Sequence, residues 1–145
     1  MNEKKSYIGA TIFDGFTRHL NSALIIKKNK VVEIIAEEKV DPKTEQVVLA
    51  GGLLTPGFVD LQVNGGGGVL FNDNPSLENL SKICEAHTKL GSTSIMPTLI
   101  SDSPEINKRA ILAITDALNQ PINGLVGLHL EGPHLAHKRK GAHEE

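Results

Sequence analysis

With 145 residues and 39% apolar content the chain is long enough to bury one ordinary core, which the 3% aromatic content, with no Trp, requires to be aliphatic. A formal charge of -2, from 15 basic and 17 acidic residues, gives no reason to expect nucleic acid or an anionic membrane as partner, and the run Lys138, Arg139, Lys140 is too short to change that. The single cysteine, Cys84, excludes an internal disulfide framework and fits a reducing compartment; with no signal-peptide h-region and no membrane-length apolar stretch, the expectation is a cytoplasmic protein.

The first fifty residues predict β structure, because short apolar runs alternate with turn chemistry and show no helical period. Ala23 to Ile26 and Val31 to Ile35 are rich in β-branched residues, and the polar KKNK between them suits a hairpin. Val47 to Leu49 form another strand-like run, and Gly51, Gly52, Pro56 and Gly57 then mark a change of architecture, with a boundary expected near Leu54. The sequence FVDLQVN predicts a strand that flows into the glycine run Gly65 to Gly68. Leu77, Leu80, Cys84, His87 and Leu90, three or four apart, predict a helix capped by Gly91. TSIMPTLI is the next strand. A second helix follows, with Ser103 as N-cap, Pro104 at its first position, and Ile106, Ala110, Ala113, Ile114 and Ala117 on one face. LVGLHLEG is the last strand. Strand, helix, strand, helix, strand at this spacing makes two successive βαβ units with parallel strands, fewer than the eight of a (β/α)8 barrel or the five of a flavodoxin-like sheet.

In parallel α/β folds functional groups gather at the carboxyl ends of the strands. Strand periodicity puts Asp60, Gln62 and Asn64 on one face, and Gly127, His129 and Glu131 on one face. For Glu131 the plain reading is a solvated strand-end acid. Its place before Gly132 and Pro133, which turn the chain sharply, favours an inward carboxylate able to bind a divalent metal through oxygen. Glu131, His134 and His137 are spaced for a local metal site only if that segment is helical, which Gly132 and Pro133 oppose. The glycine run is either a phosphate cradle or a close-packed loop, and it lacks the P-loop form. His129, between leucines, reads as a hydrogen-bonded interior residue, His19 and His87 as structural or exposed, and Cys84 as core.

Two long stretches, LLTPGFVDLQVNGGGGVLFND (residues 53–73) and GLHLEGPHLAHKRKGAH (residues 127–143), with GSTSIMPTLIS between them, closely resemble the N-acetylglucosamine-6-phosphate deacetylases of the amidohydrolase superfamily. The resemblance implies an α/β fold: the first three strands of an incomplete (β/α)8 TIM-like barrel over residues 55–145, preceded over residues 1–54 by part of a small β-sandwich domain. It implies hydrolysis of N-acetylglucosamine 6-phosphate to acetate and glucosamine 6-phosphate by an enzyme holding a divalent metal, one zinc per complete subunit, and forming a homodimer. Carried over by residue, the resemblance makes Glu131 a metal ligand and puts the sugar against the Ala142 backbone and the His143 ring. Where many amidohydrolases carry His-x-His, this sequence has Gln62 and Asn64, which leaves a single-metal site with these two amides as polar groups beside it. No catalytic acid or base falls within the chain, so the expectation is an N-terminal portion inactive alone. The alternative is a non-catalytic remnant that binds a partner or phosphosugar. A dihydroorotase-like hydrolase is a more distant reading, since it would favour His-x-His.

Overall fold

The structure is a computed structural model that describes residues 4–132, 135–141 and 143. The chain divides into two compact units, Met1–Pro56 and Gly57–Glu145.

The first unit is built of short strands: β1 (Lys4–Ile8), β2 (Thr11–Phe13), β3 (Arg18–His19), β4 (Ser22–Lys27), β5 (Lys30–Ala36), β6 (Glu45–Val48) and β7 (Leu53–Leu54). One sheet runs β5-β4-β1-β6 and a second runs β3-β2-β7. The hairpin expected from KKNK forms between β4 and β5 with a tighter loop, since Lys27 pairs with Lys30 and only Lys28 and Asn29 turn the chain. Both have positive φ, 50° and 60°. Two such residues in succession match the right-handed twist of the flanking strands. Alternation along β4 buries Ala23 and Ile25, which with Val40 form a small core flanked by Ile8 and Ile35.

The second unit contains β8 (Phe58–Val63), a hairpin of β9 (Gly65–Gly66) and β10 (Val69–Leu70), helix α1 (Leu77–Thr88), β11 (Ser92–Ile100), helix α2 (Pro104–Asn119) and β12 (His129–Glu131). Its main sheet has the order β12-β11-β8, with both pairs parallel. Each parallel pair is joined through a helix, as a parallel connection demands. Both helices begin on a serine: the hydroxyl of Ser76 accepts from Asn79 N–H and that of Ser103 from Ile106 N–H, with Pro104 at the first position of α2. Leu80, Ile83 and Cys84 of α1 and Ala110 and Ala113 of α2 meet Val63, Phe71, Ile95 and Leu99 in one apolar core, aliphatic but for Phe71. Burying a Leu or Ile side chain of this kind contributes roughly 1.5–3 kcal/mol.

Two expectations are corrected. Leu90 does not extend the apolar stripe of α1: the helix ends at Thr88, Gly91 turns the chain at φ 99°, and Leu90 is 78% exposed. The last strand is not continuous from Leu125. Leu125 makes an isolated bridge to Ile95, and the ladder resumes only at His129. Gly127, which lacks a side chain to pack and lies against Met96 Cε, falls in the gap. Among the described residues no helix is long and apolar enough to cross a membrane.

Candidate functional site

The register of the parallel sheet sets Thr98 beside His129 and Ile100 beside Glu131. Since side chains alternate, one side of β8, β11 and β12 sends Val63, Ile95 and Leu99 toward the helices. The opposite side carries the polar groups. There Thr98 Oγ1 lies 3.3 Å from His129 Nδ1, so His129 is hydrogen-bonded, though half-buried rather than interior.

Glu131 ends β12, and both of its carboxylate oxygens are engaged. Gln62 Nε2, from β8, donates to Oε2 at 3.1 Å, and His143 Nε2 approaches Oε1 at 3.4 Å. The His143 ring is only 11% exposed and the Glu131 side chain 36%. His143 Nδ1 accepts the Ser101 backbone N–H at 3.3 Å. That bond requires Nδ1 to carry the lone pair, which leaves the proton of the neutral ring on Nε2, facing the carboxylate. Ser101 also donates through Oγ to the Glu131 carbonyl at 3.4 Å. Three groups separated by up to 81 residues thus converge at the carboxyl ends of the strands.

The other candidates are placed less closely. Asn64 follows β8 and its carbonyl accepts from Phe71 N–H, while among the described residues no hydrogen bond joins its side chain to Glu131. Asp60 Oδ1 accepts the Gln62 backbone N–H at 3.1 Å, which braces the strand beneath the Gln62 amide. Ala142 and His134 lie outside the described residues, and His137 sits exposed in a short 3-10 turn. Ser101 has no residue-type signal in the sequence, because its bond to His143 is made by the backbone N–H.

The glycine run packs as a close loop. A Cβ on Gly65 would meet Val69 O at 2.2 Å, and one on Gly66 would meet the His87 ring at 2.9 Å. His87 Nε2 lies 2.9 Å from Gly65 O and so ties this hairpin to α1. Cys84 is buried, and burial pushes its thiol above the usual range, which suits core rather than nucleophile. In the first unit His19 bonds Asp14, as described below.

For a divalent cation, the Glu131 carboxylate is a ligand of the right kind, a hard anionic oxygen. The number of ligands is short. Among the described residues no group of three His, Cys, Asp or Glu side chains is arranged to hold a metal. With its lone pair directed to Ser101, His143 presents a donor at this place rather than a ligand nitrogen.

No protein-family model matches the chain. Over 140 residues it is 36% identical to the N-acetylglucosamine-6-phosphate deacetylase of Haemophilus influenzae, covering 97% of this chain and 37% of that protein. Over 95 residues it is 43% identical to the N-acetylgalactosamine-6-phosphate deacetylase of Shewanella sp. (strain ANA-3), covering 66% of this chain and 24% of that one. The crystal structure of N-acetylglucosamine-6-phosphate deacetylase from Pasteurella multocida superimposes with a TM-score of 0.93 at 36% identity, over 98% of this chain and 38% of that chain. By sequence and by fold the chain is similar over nearly its whole length to N-acetylglucosamine-6-phosphate deacetylases, and it spans about a quarter to two-fifths of the length of these relatives, 24% to 38%.

Proposed function

We propose that the chain is the N-terminal portion of a metal-dependent hydrolase that removes acetate from N-acetylglucosamine 6-phosphate and leaves glucosamine 6-phosphate. The observation that carries this reading is the convergence of Gln62 and His143 on the Glu131 carboxylate at the carboxyl ends of parallel strands. In this reading β8, β11 and β12 are the first three strands of a (β/α)8 barrel, supported by their parallel order and helical connections. Residues 1–54 begin the accompanying small β domain. The buried, lone Cys84 supports a reducing compartment such as the cytoplasm.

The roles are those that the resemblance implies, and the contacts of Glu131 support them. Glu131 is the metal ligand contributed by this segment, and Gln62 holds one of its oxygens so that the carboxylate keeps a fixed orientation. His143 turns its Nε2–H to the same place and, with the Ala142 backbone, orients the sugar. In the same reading Asn64 is a polar group beside the metal site. When bound, the divalent cation supplies polarisation of the amide carbonyl. The catalytic acid and base and the remaining ligands belong to the rest of the protein, so this chain alone releases no acetate.

The test is acetate release in a protein spanning the full length of its relatives. Glu131→Gln is expected to abolish most turnover and most metal content, because a neutral amide is a poorer ligand for a hard cation. Near-normal turnover with normal metal content rejects the role of Glu131. His143→Ala is expected to raise KM while metal content stays at the wild-type level, and unchanged kinetics removes it from the site.

A further inference from the structure

We infer that Asn72 is a positioning residue for the Glu131–His143 site, acting through the carboxyl end of β11. Asn72 follows the fully buried Phe71, and its carboxamide takes both backbone groups of one residue: Nδ2 donates to Ile100 O at 3.2 Å, and Oδ1 accepts from Ile100 N–H at 3.1 Å. This is the pairing that a neighbouring strand would supply. It is needed there because β8 leaves the ladder early: its last partner on β11 is Pro97, after which the chain enters the glycine hairpin. Without Asn72 the Ile100 N–H and C=O on that edge would lose both protein partners, which is costly in a half-buried strand. The second Nδ2 hydrogen goes to Asp102 Oδ2 at 2.9 Å. A carboxylate accepts only, so this contact admits one orientation of the amide, with the nitrogen toward Ile100 O.

The side chain therefore stands in for the missing length of β8. In a parallel strand the backbone groups of successive residues point to opposite neighbours. With Ile100 held on the β8 side, Ser101 faces the other way, and its N–H is the donor that meets His143 Nδ1. Ile100 is in register with Glu131, and Ser101 Oγ reaches the Glu131 carbonyl. One carboxamide thus fixes the short stretch of backbone on which both members of the site rest. The functional meaning rests on the reading of Glu131 and His143 given above, but the geometric relay does not.

The relay is testable in the 145-residue chain by nuclear magnetic resonance, with neither metal nor substrate present. In the wild type the Ile100 and Ser101 amides are expected to be protected from hydrogen exchange, and the His143 ring to show an acceptor Nδ1 and a protonated Nε2. In Asn72→Ala, protection at both amides is expected to fall about tenfold, the size of one net hydrogen bond, and the two His143 nitrogens to move toward a common shift. His19 and His87, bonded elsewhere, should keep their wild-type shifts. A merely structural Asn72 would lower the melting temperature without moving the His143 ring. Wild-type Ser101 protection and His143 shifts in a folded Asn72→Ala chain overturn the inference. Should that variant not fold, Asp102→Asn decides, since it removes the charge of the carboxylate that orients the amide while keeping an oxygen for the Ser103 N–H. A smaller change of the same sign at Ser101 and His143 supports the relay, and no change there overturns it. Loss of the deacetylase reading would appear separately, as absent metal content and absent acetate release in a protein spanning the full length of its relatives, with the relay intact.

Discussion

The two sides of the sheet formed by β8, β11 and β12 are made by the same alternation of residues and have opposite physical characters. On the helix side Val63, Ile95 and Leu99 are almost completely enclosed with Leu80, Ile83 and Cys84. On the other side Gln62, Thr98, His129 and Glu131 hold one another through hydrogen bonds. The first side supplies stability by area removed from water, and the second places groups that water would otherwise satisfy. Substitutions on the two sides should therefore change different observables.

The largest loss of stability is expected from Leu80→Ala. The side chain is fully buried between α1 and the sheet, and emptying such a site costs about 2–5 kcal/mol. Denaturant unfolding of the chain measures it; a loss below about 1 kcal/mol would mean that the helix side is not a packed core. Gly65→Ala should cost less, about 1–3 kcal/mol, since the added methyl meets the Val69 carbonyl and the hairpin must shift. An unchanged unfolding midpoint would show that the hairpin does not pack as described. Glu131→Gln breaks the pattern on purpose. Its half-exposed side chain should leave the chain's stability within about 1 kcal/mol of wild type while weakening divalent-cation binding. Gln62→Ala should weaken that binding by about tenfold, the usual effect of losing a group that orients a ligand. Calorimetric titration compares the three proteins, and a stability loss in Glu131→Gln as large as that of Leu80→Ala would erase the contrast between the sides.

Much of this contrast was legible in the sequence. The alternation of FVDLQVN and GLHLEG separates the two sides before any packing is known, and Ser103, Pro104 and the alanine stripe of α2 are local signals that folding preserves. What was not legible depends on how distant backbone segments meet. Ser101 contributes a main-chain N–H, and Asn72 substitutes a side chain for a strand; neither role has a residue-type signature. The glycine run allowed two readings because a cradle and a close-packed loop use the same residue, and only the approach of Val69 and His87 distinguishes them. The overextended last strand followed from counting apolar residues across Gly127, where pairing is interrupted.

The smallest expected effect lies in the first unit. His19 Nε2 bonds Asp14 Oδ2 at 2.8 Å, and the Thr17 and Phe16 amides both donate to Oδ1. Chiefly the His19 bond, and then these two amides, lower the Asp14 carboxyl to about 2. A depressed folded value means that the carboxylate's contribution is fully present above its unfolded pKa near 3.8 and is lost as pH falls through about 2. Between those values the β2–β3 turn should weaken in the wild type and not in Asp14→Asn. Carbonyl shifts followed across the acid range measure it, and an Asp14 titration near its ordinary value would contradict the pairing.

The most direct test of the account is a zinc titration of the isotope-labelled 145-residue chain, followed residue by residue. The account predicts weak binding whose shifts centre on Glu131, Gln62 and His143, and which disappears in Glu131→Gln. Zinc shifts centred on His137 and unaffected by Glu131→Gln would contradict it, because they would place the cation outside the polar side of the sheet.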